Sequence, residues 1–153
     1  MKTITLTFRN TILLIGLYLC STLGFAQSPQ TFGSSGTWTC PAGVTTITVE
    51  AWGAGGAGGG NASNRDGGGG GGGGAYSKST TISVTPGVTY TVNVGTGGTG
   101  TALNGTAGGD SWFDSTSVLL AKGGAGGISG TLVSGAAGGN GGAAGSGVGT
   151  TKF

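Results

Sequence analysis

The sequence predicts an all-β fold, with small antiparallel hairpin sheets packed against a bundle of polyglycine II helices and no α-helix after export. Three observations carry this. Glycine accounts for 40 of 153 residues and is gathered into tracts. Short runs rich in Thr, Val, Ile and aromatics precede those tracts and alternate with period two, and no stretch shows a 3.6-residue period. The longest glycine tract keeps a three-residue register.

Before any strand comes an export signal over residues 1–26. Lys2 and Arg9 form the basic start, residues 11–23 the apolar stretch, and Gly24-Phe25-Ala26 the small-residue cleavage site before Gln27. The apolar stretch is too short to span a bilayer. Leu17-Tyr18-Leu19 puts bulky residues ahead of Cys20, which argues against a lipid anchor. Residues 27–153 then form one glycine-rich domain, expected to be secreted or at the cell surface without membrane insertion. Its charges cancel: Arg65, Lys78, Lys122 and Lys152 against Glu50, Asp66, Asp110 and Asp114. Without a basic excess, nucleic acid is not an expected partner.

The strands are expected in order. Thr37–Cys40 and Val44–Trp52 flank Pro41-Ala42-Gly43, a hairpin-type connection. In the second run Ile47, Val49 and Ala51 face one way, and Thr46, Thr48, Glu50 and Trp52 the other. Tyr76–Val84 and Val88–Val94 flank Pro86-Gly87, which suits a type II turn. Ser111–Phe113 and Val118–Lys122 flank the polar segment 114–117.

The glycine tracts cover 53–60, 67–74, 95–100, 105–109 and 123–149. A flexible linker is the plain expectation. In 123–149, however, 12 of the 13 glycines avoid one phase of a triplet, which instead holds Ala125, Ile128, Thr131, Ser134, Ala137, Asn140, Ala143 and Ser146. Three residues per turn is the polyproline II geometry, whose backbone groups can bond sideways to neighbours. At that rise the tract would extend roughly 84 Å, so it is expected to fold back near residues 128–134. The unbroken run 67–74 has no outward phase and is expected inside the bundle.

Candidate chemistry is sparse. With no histidine, the usual serine and cysteine triads and HExxH zinc sites are excluded. Gly53-Ala54-Gly55-Gly56-Ala57-Gly58 matches GxGxxG formally, but no helix follows to receive a phosphate. Asp110 and Asp114 are read as turn residues before metal ligands, and no metal or cofactor is expected. Cys40, unpaired after export, is expected to be a small buried group. Trp38, Trp52, Tyr76, Tyr90, Trp112 and Phe113 are read as core first and as a sugar-stacking platform second. The polar interruptions offer the contact candidates: Asn61, Asn64, Arg65 and Asp66 in one loop, Asp114, Ser115 and Thr116 in another.

Thr37-Trp38-Thr39, Pro41-Ala42-Gly43-Val44, Val49-Glu50-Ala51-Trp52-Gly53, Ala75-Tyr76-Ser77, Pro86-Gly87, Tyr90-Thr91-Val92-Asn93-Val94-Gly95, Gly108-Gly109-Asp110-Ser111 and Ala121-Lys122-Gly123-Gly124 follow in order. Together they resemble the bacterial and phage glycine-rich domain, which is similar to the tips of certain phage tail-fibre adhesins and occurs in secreted surface proteins of Bacteroidota. The resemblance implies hairpins with polyglycine II helices, and a non-catalytic recognition or scaffold module meeting a cell-surface glycan or protein. The chain departs from the pattern at Cys40, where an aliphatic residue is usual. It also lacks the C-terminal sorting domain common in such surface proteins, which fits a piece of a longer protein. Two other classes compete. Ice binding is suggested by Thr-x-Thr at 37–39, 46–48, 89–91 and 99–101, and a structural matrix component by the glycine content.

Overall fold

The computed structural model describes residues 29–61, 67–130, 136–143 and 147–153, so the expected export signal lies outside the described residues. Phe32–Phe153 form one unit. Seven strands are present and no helix occurs among the described residues: β1 Gly36–Thr39, β2 Thr46–Trp52, β3 Tyr76–Ser83, β4 Thr89–Asn93, β5 Ser111–Phe113, β6 Leu119–Ala121 and β7 Thr151–Lys152. They form two antiparallel sheets, ordered β1-β4-β5-β6 and β2-β3-β7.

Two of the three expected strand pairings change partner. β1 does not pair with β2 across Pro41-Ala42-Gly43; it pairs with β4, Trp38 opposite Tyr90. β3 does not pair with β4 across Pro86-Gly87; it pairs with β2, Glu50 opposite Lys78. The turns themselves are as expected. Gly43 (φ 81°) and Gly87 (φ 80°) take the left-handed third position of type II turns, closed by Val44 N–H to Pro41 O at 3.3 Å and Val88 N–H to Thr85 O at 3.1 Å. Each carries the chain from one sheet to the other. Only β5–β6 is a local hairpin, Trp112 facing Leu120.

The crossing has an energetic reason. A single small sheet would leave its apolar face in water, and two facing sheets bury both. Cys40, Ile82, Val84, Phe113 and Leu119 form the buried centre, with Trp38, Val44, Ile47, Val49, Ala51, Tyr90 and Val92 packed against it. Period two in β2 reads out directly: Ile47, Val49 and Ala51 are half-buried and their neighbours exposed. Cys40 is buried as expected and donates its thiol to Val44 O at 3.2 Å. Leu119 is wholly buried, worth about 1.5–3 kcal/mol by transfer.

The glycine segments continue the strands. β2 runs into 53–60, and 67–75 runs into β3. β4 runs into 95–101, and 103–109 into β5. β6 runs into 122–130, and 136–143 precedes β7. Lateral backbone bonds join the segments every third residue. Gly53, Gly56 and Gly59 donate to Ala75, Gly72 and Gly69 (each 2.8 Å), while Ala54, Ala57 and Gly60 donate to Gly109, Thr106 and Leu103. Gly124, Gly127 and Gly130 donate to Ala54, Ala57 and Gly60 in a parallel arrangement. A flat sheet ladder gives a segment two neighbours; 53–60 has at least three.

This geometry accounts for the glycines. A methyl built on Gly53, Gly56 or Gly59 would collide with the carbonyls of Lys122, Ala125 or Ile128. The fold-back also occurs: Ala125 N–H donates to Asn140 O at 2.9 Å and Ile128 N–H to Ala137 O at 3.3 Å, an antiparallel return. The side-chain phase points outward, with Ala125, Ile128, Ala137, Asn140 and Ala143 exposed.

The run 67–74 corrects one expectation. It does have an outward phase, occupied by glycine. Gly67, Gly70 and Gly73 have nothing within 4 Å of an added Cβ, whereas Gly68, Gly69, Gly71, Gly72 and Gly74 would meet backbone. The segment borders three others and leaves one side open.

Candidate functional site

Asn61, the described residue of the first polar loop chosen from sequence, and residues 114–116 sit at opposite ends of the fold. All the glycine segments extend from the same end of the sheets, and Gly60, Leu103 and Gly130 meet at the far tip. Asn61 begins the first connection and bridges Gly130; Asn64, Arg65 and Asp66 lie outside the described residues. At the tip Gly60 N–H donates to Leu103 O at 2.6 Å, Gly130 N–H to Gly60 O at 3.2 Å, and Ser129 N–H to the Asn104 Oδ1 at 2.8 Å. Leu103 (62%) and Ile128 (51%) are exposed here. Neither was singled out from sequence, although both are large apolar residues interrupting glycine.

Asp114, Ser115 and Thr116 occupy the β5–β6 turn at the sheet end. Asp114 has φ 61°, and Ser115 N–H bonds Phe113 O at 2.7 Å across it, a γ-turn of the rarer positive-φ kind. Its own N–H donates to Thr91 O at 2.7 Å, and Ser115 and Ser117 share a hydroxyl bond of 2.8 Å. This is a self-contained turn.

Asp110 belongs to neither end. It sits where sheet becomes glycine bundle, ion-paired to Lys122 and accepting the Gly123 N–H on Oδ1 at 2.9 Å, while its carbonyl takes the Asn93 amide at 2.8 Å. Burial pushes its carboxyl up, but the Lys122 ammonium and Gly123 N–H more than reverse this and hold it below the usual range. The expected turn cap is thus a cross-strand clamp.

The aromatics divide into two groups. Trp38, Tyr90 and Phe113 are core, with centroids 5.5–6.1 Å apart. Trp112 is half-buried. Trp52 and Tyr76 face outward on β2 and β3, and Phe153, which sequence reasoning passed over, joins them. Trp52 and Tyr76 centroids lie 5.1 Å apart at 51°, and Tyr76 and Phe153 lie 5.9 Å apart at 13°. The backbones of Tyr76 and Phe153 bond each other in both directions, at 2.7 and 3.0 Å. Trp52 is 62% and Phe153 75% exposed.

Beside these rings, Glu50 and Lys78 pair at 2.7 Å. Lys78 foremost holds the Glu50 carboxyl low, and Glu50 foremost holds the Lys78 ammonium high. Burial and then Glu50 raise the Tyr76 phenol. The opposite sheet presents threonines: Thr37 faces Thr91 and Thr39 faces Thr89, with the Thr39 and Thr89 hydroxyls 2.9 Å apart. Among the described residues no group of three His, Cys, Asp or Glu is arranged to hold a metal, and no helix is long and apolar enough to cross a membrane.

A comparison with curated proteins finds no match. Residues 28–152 match the family described as a glycine-rich domain, which is most of the chain. The composition, the triplet register and this match agree: the chain belongs to the glycine-rich domain family.

Proposed function

We propose that this chain is a secreted, non-catalytic recognition or scaffold module at the cell surface, of the kind found at bacterial surfaces and phage fibre tips. In this reading the glycine segments are polyglycine II helices, and a surface glycan or protein is the partner. One observation supports it above the rest: six backbone segments are held side by side by bonds every third residue, and Gly60, Leu103 and Gly130 are gathered at one tip. A rigid stalk with variable loops at its end suits recognition. The side chains at that tip, Asn104 and exposed Leu103 and Ile128 among them, are equipped for contact and not for proton transfer.

Replacing residues 61–66 with a glycine-serine loop, and separately residues 114–117, tests the reading on cells and glycan arrays. Loss on the first exchange alone assigns contact to the tip; binding unaltered by both removes the loops from the function.

Ice binding is a second reading, favoured by the register that sets two Thr-x-Thr pairs side by side on β1 and β4. The array has only two rungs, since the β1–β4 pairing runs from Gly36 to Thr39. Thermal hysteresis in the purified protein, abolished by Thr39→Val with Thr89→Val, is the result this reading requires.

A further inference from the structure

We propose that the outer face of the β2-β3-β7 sheet is a binding site for a neutral polysaccharide, with Trp52, Tyr76 and Phe153 as the stacking surface and Glu50 and Lys78 as the hydroxyl-binding edge. The proposal rests on the recognition reading above and gives it a second site, remote from the tip.

The rings are placed by the strand register. Trp52 lies opposite Tyr76 and Glu50 opposite Lys78, so rings and charges form consecutive rungs on one face. Phe153 extends the row, anchored by its paired backbone bonds to Tyr76. The result is three contiguous rings with successive centroids 5.1 and 5.9 Å apart. Packing rings on the core was open to the fold, since Phe113 is buried there and Trp38 and Tyr90 are half-buried against it. Two large rings left mostly in water, on a chain poor in large apolar residues, form the kind of patch that marks an interaction site.

Area and charge select the occupant. At 150–250 Å² per fully buried ring, scaled by exposure, the three offer roughly 400 Å². A stable protein partner needs about 800 Å² from each side. Among the described residues the other large exposed apolar ones, Val88, Leu103 and Ile128, belong to the turn before β4 and to the tip and cannot enlarge the patch. An oligosaccharide needs less. The C–H faces of a sugar ring cover an aromatic face, and its hydroxyls both donate and accept. The Glu50 carboxylate accepts, the Lys78 ammonium donates, and the Tyr76 phenol can do either. Because the two charges cancel, neither an acidic nor a basic polymer is favoured.

Native gel electrophoresis through gels containing hydroxyethyl cellulose, laminarin or mannan, with a heparin gel for comparison, tests this on residues 27–153. The expected result is retardation in at least one neutral gel and none specific to heparin. Affinity should fall at least tenfold in Trp52→Ala and Phe153→Ala, fall less in Glu50→Gln, and be unaltered in Leu103→Ala. An unchanged melting temperature shows that the exposed-ring variants remain folded. Absence of retardation in every neutral gel overturns the proposal, as does retardation that Trp52→Ala leaves intact. Concentration-dependent dimerisation in sedimentation, abolished by Trp52→Ala, overturns it in favour of a second copy. If exchanging residues 61–66 removes cell binding while Trp52→Ala does not, the recognition reading stands and this site falls.

Discussion

Gly56 lies so close to the carbonyl of Ala125 that the space a β-carbon would occupy is already filled by backbone. The same holds for Gly53 with Lys122 and Gly59 with Ile128, three residues apart along each segment. Glycine therefore does in this bundle what leucine does in an ordinary core: it sets the distance between neighbours.

Substitution by alanine should reveal the register within one tract. Gly56→Ala and Gly72→Ala force backbones apart and should cost about 1–3 kcal/mol or more. Gly70→Ala and Gly73→Ala meet open space and should be neutral or stabilising by about 0.4–1 kcal/mol, through a less flexible unfolded chain. Thermal melts of the four variants give the comparison; equal losses at all four positions would contradict the register.

The sheet core should respond in the ordinary way. Leu119→Ala empties the most buried large side chain and should cost about 2–5 kcal/mol in denaturant unfolding. A loss below about 1 kcal/mol would mean that the two sheets do not share a core.

Asp110 should make stability pH-dependent. Its carboxyl is held low in the folded state, so its contribution is complete above the unfolded carboxylate value and is lost as pH falls through the folded one. Asp110→Asn should flatten that acid limb and lower stability at neutral pH by about 1 kcal/mol, since the Lys122 pair and the charged partner of Gly123 N–H disappear. An acid limb unchanged in Asp110→Asn would place the dependence on another group.

Tyr76 reports on the outer face. Its phenol is raised by burial and by Glu50. Glu50→Gln should shift its absorbance titration to lower pH, toward the ordinary tyrosine range. A titration unmoved by that substitution would separate Tyr76 from Glu50.

These expectations divide along what a sequence can carry. Period two set Ile47, Val49 and Ala51 on one face and Trp52 on the other, although Trp52, expected in the core, is exposed, and the phase of residues 123–149 placed Ala125 and Ala137 outside. Both are local repeats, legible wherever residue types alternate. Strand pairing was not local. Pro41-Ala42-Gly43 and Pro86-Gly87 form the turns their residues favour, yet a type II turn serves equally to reverse a strand within a sheet or to pass it to another. Burial of both apolar faces decided between them. The run 67–74 hid its outward phase because every letter is glycine. The aromatic row hid because it depends on β3 pairing both β2 and β7, which brings Phe153 to Tyr76 from 77 residues away.

Amide hydrogen exchange across residues 53–60, read residue by residue by NMR, tests most directly whether glycine here is ordered packing. The lateral bonds predict slow exchange at Gly53, Ala54, Gly56, Ala57, Gly59 and Gly60, and fast exchange at Gly55 and Gly58, which donate no backbone bond to a described residue. Uniformly fast exchange along the segment, at the rate of an unstructured chain, would contradict the account.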